Sequence, residues 1–237
     1  MKRILLCRNG KSFYVRDTSK DMHTQYGFIK SKDLAKTGRV SSNTGKEFSI
    51  FTPSFIDIYR RIKRSAQIIP LKDVGFIIAE TGIDSDSVVV DAGVGSGALA
   101  CFLAHIAKEV TSYEIREDFI KIAEHNVELL GVCVRIKNKS IYECIDEKNV
   151  DLITLDVPEP WNALDTAAKA LKPGGHLVSY SPSIPQTMDF VNALGDCFVH
   201  LKTSEIIERS WEIDGRKVRP MSRGIGHSGF ISIARRI

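Results

Sequence analysis

Residues 88–97 read VVVDAGVGSG, and their order decides the fold. The β-branched run Val88–Val90 suits a buried strand. It ends on Asp91 and turns through Gly93, Gly95 and Gly97 into ALACFLAHIA, whose apolar spacing predicts a helix. Glycines at such a turn let backbone approach a ligand closely and permit positive φ. No Lys-Ser/Thr pair follows them, so the turn is not a phosphate cradle of the P-loop kind.

A second strand, Val110 to Tyr113, delivers Glu114 about twenty residues beyond the first glycine, where an acid can accept hydrogen bonds from ribose hydroxyls. Dinucleotides and S-adenosylmethionine both use such an acid. The GxGxG spacing lacks the last glycine of the dinucleotide fingerprint and has Leu99 and Ala100 beyond it. That favours the methyl donor, which has no pyrophosphate to seat on the helix N-terminus.

Outward from this turn, helices are predicted at 72–81, 98–108, 117–130, 161–171 and 185–195. Strands are predicted at 88–92, 110–114, 132–137, 151–156, 175–181, 198–208 and 226–235. Their alternation implies an α/β fold with a doubly wound, mostly parallel Rossmann-like sheet. The last two strands have no helix between them and are expected to form an antiparallel hairpin at the sheet edge. Residues 1–52 read as a small N-terminal antiparallel β domain, with Asn9-Gly10 as a hairpin turn. Residues 53–72 read as a connecting helix (53–65) and linker, and 73–237 as the catalytic domain.

At 237 residues the chain is long enough for one large domain and a small one. No apolar run approaches the roughly 18 residues that span a bilayer, and MKRILLCRNGKSF has no long apolar region of the signal-peptide kind. A cytoplasmic protein with no membrane partner is expected. Cys7, Cys101, Cys133, Cys144 and Cys197 are scattered without metal-ligand spacing, so reduced thiols and no metal are expected. A net charge of +4 identifies no partner by itself. Basic residues do cluster at Arg60, Arg61, Lys63 and Arg64, and again at Arg216, Lys217, Arg219 and Arg223. Each cluster suits either phosphates or a solvated polar face.

The strand from Asp151 delivers Asp156 to its carboxyl end, followed by VPEPW. In open α/β sheets ligands bind at that edge, so Asp156 is expected beside the glycine turn. Pro158 and Pro160 stiffen the loop. An acid there can orient a nitrogen nucleophile by accepting a hydrogen bond from its amine; it can also simply cap the next helix.

The chain resembles the archaeal form of the tRNA (adenine-58-N1)-methyltransferases, class I enzymes dependent on S-adenosylmethionine. The likeness rests on QIIPLKD (67–73), DAGVGSGAL (91–99), SYEIREDF (112–119), LDVPEPW (155–161), AAKALKPGG (167–175) and GHSGFISIARRI (226–237). It implies methyl transfer to N1 of an adenosine in the tRNA T-loop, at position 58 and in some archaeal members also at 57. It implies Asp156 as catalytic acid and cofactor contacts at Gln67, Gly93, Gly95, Ser96, Gly97, Ala98, Glu114, Asn138, Ser140 and Asp156. Trp161, Tyr180, Arg60, Arg64 and Arg219 are the residues expected to meet tRNA. A homotetramer and an RNA-binding N-terminal domain are implied as well.

Two positions depart from the family pattern. Pro70-Leu71 stands where the family has His or Tyr followed by Pro, which removes an aromatic able to stack on the base. Ser140 stands where relatives have Asp for the adenine amine. Chemically, N1 must be exposed by extruding the base. An ionised Asp156 bonded to the N6 amine would then favour the positive charge that grows on the ring. Two other readings are open: a methyltransferase acting on a small molecule or protein, and a non-catalytic tRNA-binding subunit on the same scaffold.

Overall fold

The computed structural model describes every residue except Ala66, Arg223 and Ile225. Arg223 of the second basic cluster therefore lies outside the described residues. Two compact units, Met1–Arg61 and Ile62–Ile237, divide the chain inside the segment read as a connector.

The first unit contains β1 (Arg3–Leu6), β2 (Ser12–Val15), β3 (Met22–Thr24), β4 (Gly27–Ile29), α1 (Ser31–Leu34), β5 (Gly38–Ser41), β6 (Glu47–Phe51) and α2 (Phe55–Tyr59). Four strands form an antiparallel sheet in the order β2-β1-β6-β5, and β3 pairs with β4. Leu5, Cys7, Val15, Ile29, Leu34, Phe48 and Ile50 make its core. The Asp57 carboxylate accepts from Ser54 N (2.9 Å) and Ser54 Oγ (2.7 Å) and so starts α2.

The second unit runs α3 (Leu71–Thr81), β7 (Val88–Ala92), α4 (Ala98–Ala104), β8 (Glu109–Glu114), α5 (Glu117–Leu130), β9 (Arg135–Asn138), β10 (Val150–Leu155), α6 (Leu164–Ala170), β11 (Leu171–Ser181), α7 (Ile184–Ala193), β12 (Phe198–Ser204), β13 (Trp211–Asp214), β14 (Lys217–Pro220) and β15 (Phe230–Arg236). Seven strands form one sheet, ordered β12-β15-β11-β10-β7-β8-β9. β9, β8, β7, β10 and β11 are parallel, and β15 is antiparallel to β11 and β12. One face packs on Val74, Ile77, Leu99, Leu103 and Ala123 from α3, α4 and α5. The other packs on Ala167, Ala170 and Phe190 from α6 and α7. This is the doubly wound architecture with an antiparallel edge. Because strand order reverses between β7 and β10, their carboxyl ends flank a crevice.

Several elements are shorter than the sequence predicts. The helix expected over 53–65 is only α2, because the Asn126 side chain takes up Lys63: Lys63 N donates to Asn126 Oδ1 and Asn126 Nδ2 donates to Lys63 O, both at 2.9 Å. The helix expected over 161–171 begins as a 3-10 turn, Pro160–Ala163. It ends where Leu171 pairs with Val150 in the sheet. The strand expected over 198–208 stops at Ser204, and the β13–β14 hairpin was not expected. No helix among the described residues is long and apolar enough to cross a membrane.

Asn126 is fully buried and also donates to Ser96 O at 2.8 Å, so it ties the entry of the second unit to the glycine turn. Asn126→Ala strands three backbone groups, and we expect a loss of about 2 kcal/mol. A lowered urea midpoint at unchanged slope checks this.

Candidate active site

A cavity of about 360 Å³ opens at the carboxyl ends of β7, β8 and β10. Its floor is the glycine turn. Gly93 adopts φ +75°, and a side chain there would strike the carbonyl oxygen of Asp156. The same approach is held by a hydrogen bond from Asp156 N to Ala92 O (2.8 Å). Gly97 adopts φ +73° with Ala123 packed against the place a Cβ would occupy. The turn therefore brings backbone, rather than side chains, to the ligand space.

Glu114 closes one wall. Its Oε2 accepts from Gly95 N (3.2 Å), and its Oε1 accepts from Ile115 N (2.9 Å) and Arg116 N (3.0 Å). Three amide donors fix the carboxylate: two fill Oε1, and Oε2 keeps one lone pair for a further donor. Asp156 lies across the cavity, open to its solvent but surrounded by protein below. Desolvation, joined by the negative field of Asp91, pushes its carboxyl up to about 7.

Asp91, which the sequence reading treated only as a strand end, is the third acid of this wall. It is 1 % exposed and accepts from Ser112 Oγ (2.6 Å) and Thr154 Oγ1 (2.7 Å). Burial pushes it up to about 6 against the lowering effect of those two hydroxyls.

Gln67, Gly93, Gly95, Ser96, Ala98, Glu114, Ser140 and Asp156 all line the cavity; Gly97 and Asn138 do not. Asn138 ends β9 and is exposed, and the wall runs instead through Lys139 and Ser140. Ser140 Oγ accepts from Tyr142 N (3.3 Å), so part of its acceptor capacity is spent on its own turn. Ile68, Phe119 and Tyr142 add apolar and aromatic wall that the motifs did not reveal. The cations on the wall are engaged elsewhere: Lys139 pairs with Asp146 (3.0 Å) and Arg116 with Asp118 (2.8 Å). Such a site suits a flat heterocycle, a vicinal diol and a positive charge, and opposes a phosphate.

The residues expected to meet tRNA are not gathered here. Tyr180 is buried and donates to Asp73 Oδ2 (3.1 Å), with Gly229 tight against its ring. Trp161 is half-buried on the α6–α7 side of the sheet. Arg219 pairs with Glu212 (2.9 Å) on the β13–β14 hairpin. Arg64 is exposed in the second unit and Arg60 is exposed in the first. Among the described residues no group of His, Cys, Asp and Glu could hold a metal ion.

The profile of the family described as tRNA methyltransferase complex GCD14 subunit matches residues 52–228. The chain belongs to this family. Consistent with that membership, it is 35% identical to the tRNA (adenine(57)-N(1)/adenine(58)-N(1))-methyltransferase TrmI of Methanocaldococcus jannaschii, over 98% of this chain and 94% of that one. Among solved structures, a SAM-dependent O-methyltransferase of Thermotoga maritima matches this GCD14-family chain with a TM-score of 0.89 and 32% identity, covering 100% of this chain and 92% of the other. The tRNA (m1A58) methyltransferase TrmI of Aquifex aeolicus shares the fold, with a TM-score of 0.85, 23% identity and coverage of 100% and 97%.

In the folded protein Asp156 keeps its proton up to about pH 7, whereas its ordinary value is 3.8. Its stabilising contribution is present below the unfolded value and is lost as pH rises through 7. Asp156→Asn should therefore melt higher than wild type at pH 8, with the gap narrowing toward pH 5 in thermal scans.

Proposed function

We propose that this chain transfers a methyl group from S-adenosylmethionine to N1 of adenosine 58 in the T-loop of tRNA, and of adenosine 57 as in its Methanocaldococcus relative. One observation carries the cofactor part: three carboxylates, Asp91, Glu114 and Asp156, share a cavity with the glycine turn, and no lysine or arginine ion-pairs with them among the described residues. A sulfonium nucleoside offers the cation, diol and flat base that this wall accepts.

Bound there, the donor supplies an already activated methyl group. Glu114 accepts from a ribose hydroxyl through the lone pair that its amide donors leave on Oε2. Gly93 and Gly95 keep the space beside it clear of side chains. Asp156 accepts a hydrogen bond from the N6 amine of an extruded adenine and favours the charge that develops on the ring as N1 gains carbon. A cation in the cavity favours the ionised form of Asp156 needed for that contact.

Charge distribution supports an RNA acceptor. Residues 1–61 carry 13 Lys/Arg against 5 Asp/Glu, a formal charge of +8, while residues 62–237 carry 20 against 24, or −4. The basic first unit suits a phosphate backbone. A homotetramer in the cytoplasm belongs to the same reading. It is supported by the β13–β14 hairpin, whose register puts exposed Trp211, Ile213 and Val218 on one face.

Incubating the protein with labelled S-adenosylmethionine and an unmodified tRNA transcript should yield N1-methyladenosine on nucleoside analysis. A 2′-O-methyl nucleoside, or no labelled RNA, would overturn the acceptor. Asp156→Ala should lose roughly 100-fold or more in kcat while still binding S-adenosylmethionine. Glu114→Ala should instead weaken donor binding about tenfold or more in calorimetry, since it removes a charge-assisted hydrogen bond.

A further inference from the structure

Asp91 takes part in no step above, yet it is the most deeply buried acid of the cavity wall. Strand register fixes it: Asp91 stands opposite Ser112 on β8 and opposite Thr154 on β10, and both hydroxyls donate to it. Glu114 follows Ser112 by two residues and Asp156 follows Thr154 by two, so all three acids belong to one face of the sheet. Hydroxyl donors solvate a carboxylate without neutralising it. Asp156 borders the opening of the cavity, whereas Asp91 is 1 % exposed, so the field of Asp91 persists across the cavity. The field is felt behind the cavity too, where it helps burial push the Cys101 thiol up to about 12.

Methyl transfer breaks the S–CH3 bond, leaves its electron pair on sulfur, and forms N–CH3 from the N1 lone pair. Positive charge thereby passes from the donor to the purine, and the remaining thioether is neutral. We propose, resting on the function inferred above, that Asp91 is a specificity-determining residue whose buried charge makes the cavity hold the sulfonium donor in preference to the thioether product. Loss of the methyl group then weakens the product's hold on the site without any conformational step. A buried charge lacking a counter-ion is destabilising in the empty protein, so the same residue trades stability for this discrimination.

Calorimetry with S-adenosylmethionine and S-adenosylhomocysteine, on wild type and Asp91→Asn at pH 7.5, tests this. Asparagine preserves shape and can bond both hydroxyls. The expected result is a loss of tenfold or more for S-adenosylmethionine, a change under threefold for S-adenosylhomocysteine, and a higher melting temperature of the empty variant at pH 8. An unchanged preference between the two ligands overturns the role of Asp91. If wild type binds neither ligand, the proposed function itself fails, and this inference with it.

Should Asp91→Asn not fold, the pH dependence of ligand preference in wild type and in Asp156→Asn decides the matter. The wild-type preference for S-adenosylmethionine should rise between pH 5 and pH 8, and a flat preference overturns the proposal. The other ionisable groups facing the site are Tyr113, Glu114, Arg116, Lys139, Tyr142 and Asp156, and Tyr180 feels the charge of Asp156. The rise must persist in Asp156→Asn to belong to Asp91.

Discussion

Gly93 rests directly against the backbone of Asp156, and the amide of Asp156 donates to the carbonyl of Ala92. This contact is the constraint on which the site depends. It fuses two loops that leave neighbouring parallel strands, one presenting bare backbone and the other presenting an acid. Any side chain at residue 93 would push the acidic loop away and open the cavity floor. The twist and order of the sheet place the two loops side by side; the missing Cβ lets them meet.

Around that contact, hydrogen bonds do the positioning and leave charge uncompensated. Glu114 is clamped by amides, and Asp91 by hydroxyls. The available cations are turned to acids outside the wall, as in the pairs of Lys139 with Asp146 and Arg116 with Asp118. Arg116 is further occupied over the ring of Phe119, at 3.7 Å from its centroid. The result is a cavity whose shape is held rigidly while its field remains unsatisfied until a ligand enters.

Much of this was legible in the sequence because it is local. The helix Glu117–Leu130 was predicted with its observed ends, since Glu117 and Asp118 open its first turn and Gly131 closes it in a left-handed conformation. The glycine turn, Glu114 and Asp156 follow from strand-end logic. What was missed depends on partners far away in the chain. Lys63 is withdrawn from a helix by Asn126, 63 residues later. The part played by Asp91 exists only because register sets it between Ser112 and Thr154. Tyr180, read as a ring for stacking on a base, is instead sealed by Asp73 and Gly229. The β13–β14 hairpin had a local signal in Asp214-Gly215 that its polar surroundings obscured.

The uneven division of charge at Arg61 and Ile62 bears on how a polyanion first meets this enzyme. A polyanion is drawn more strongly to residues 1–61 than to residues 62–237 taken as a whole, so its first collisions are biased before any specific contact forms. Encounter is thereby biased toward the basic residues 1–61. Raising ionic strength would erase that bias first, slowing arrival more than it hastens departure.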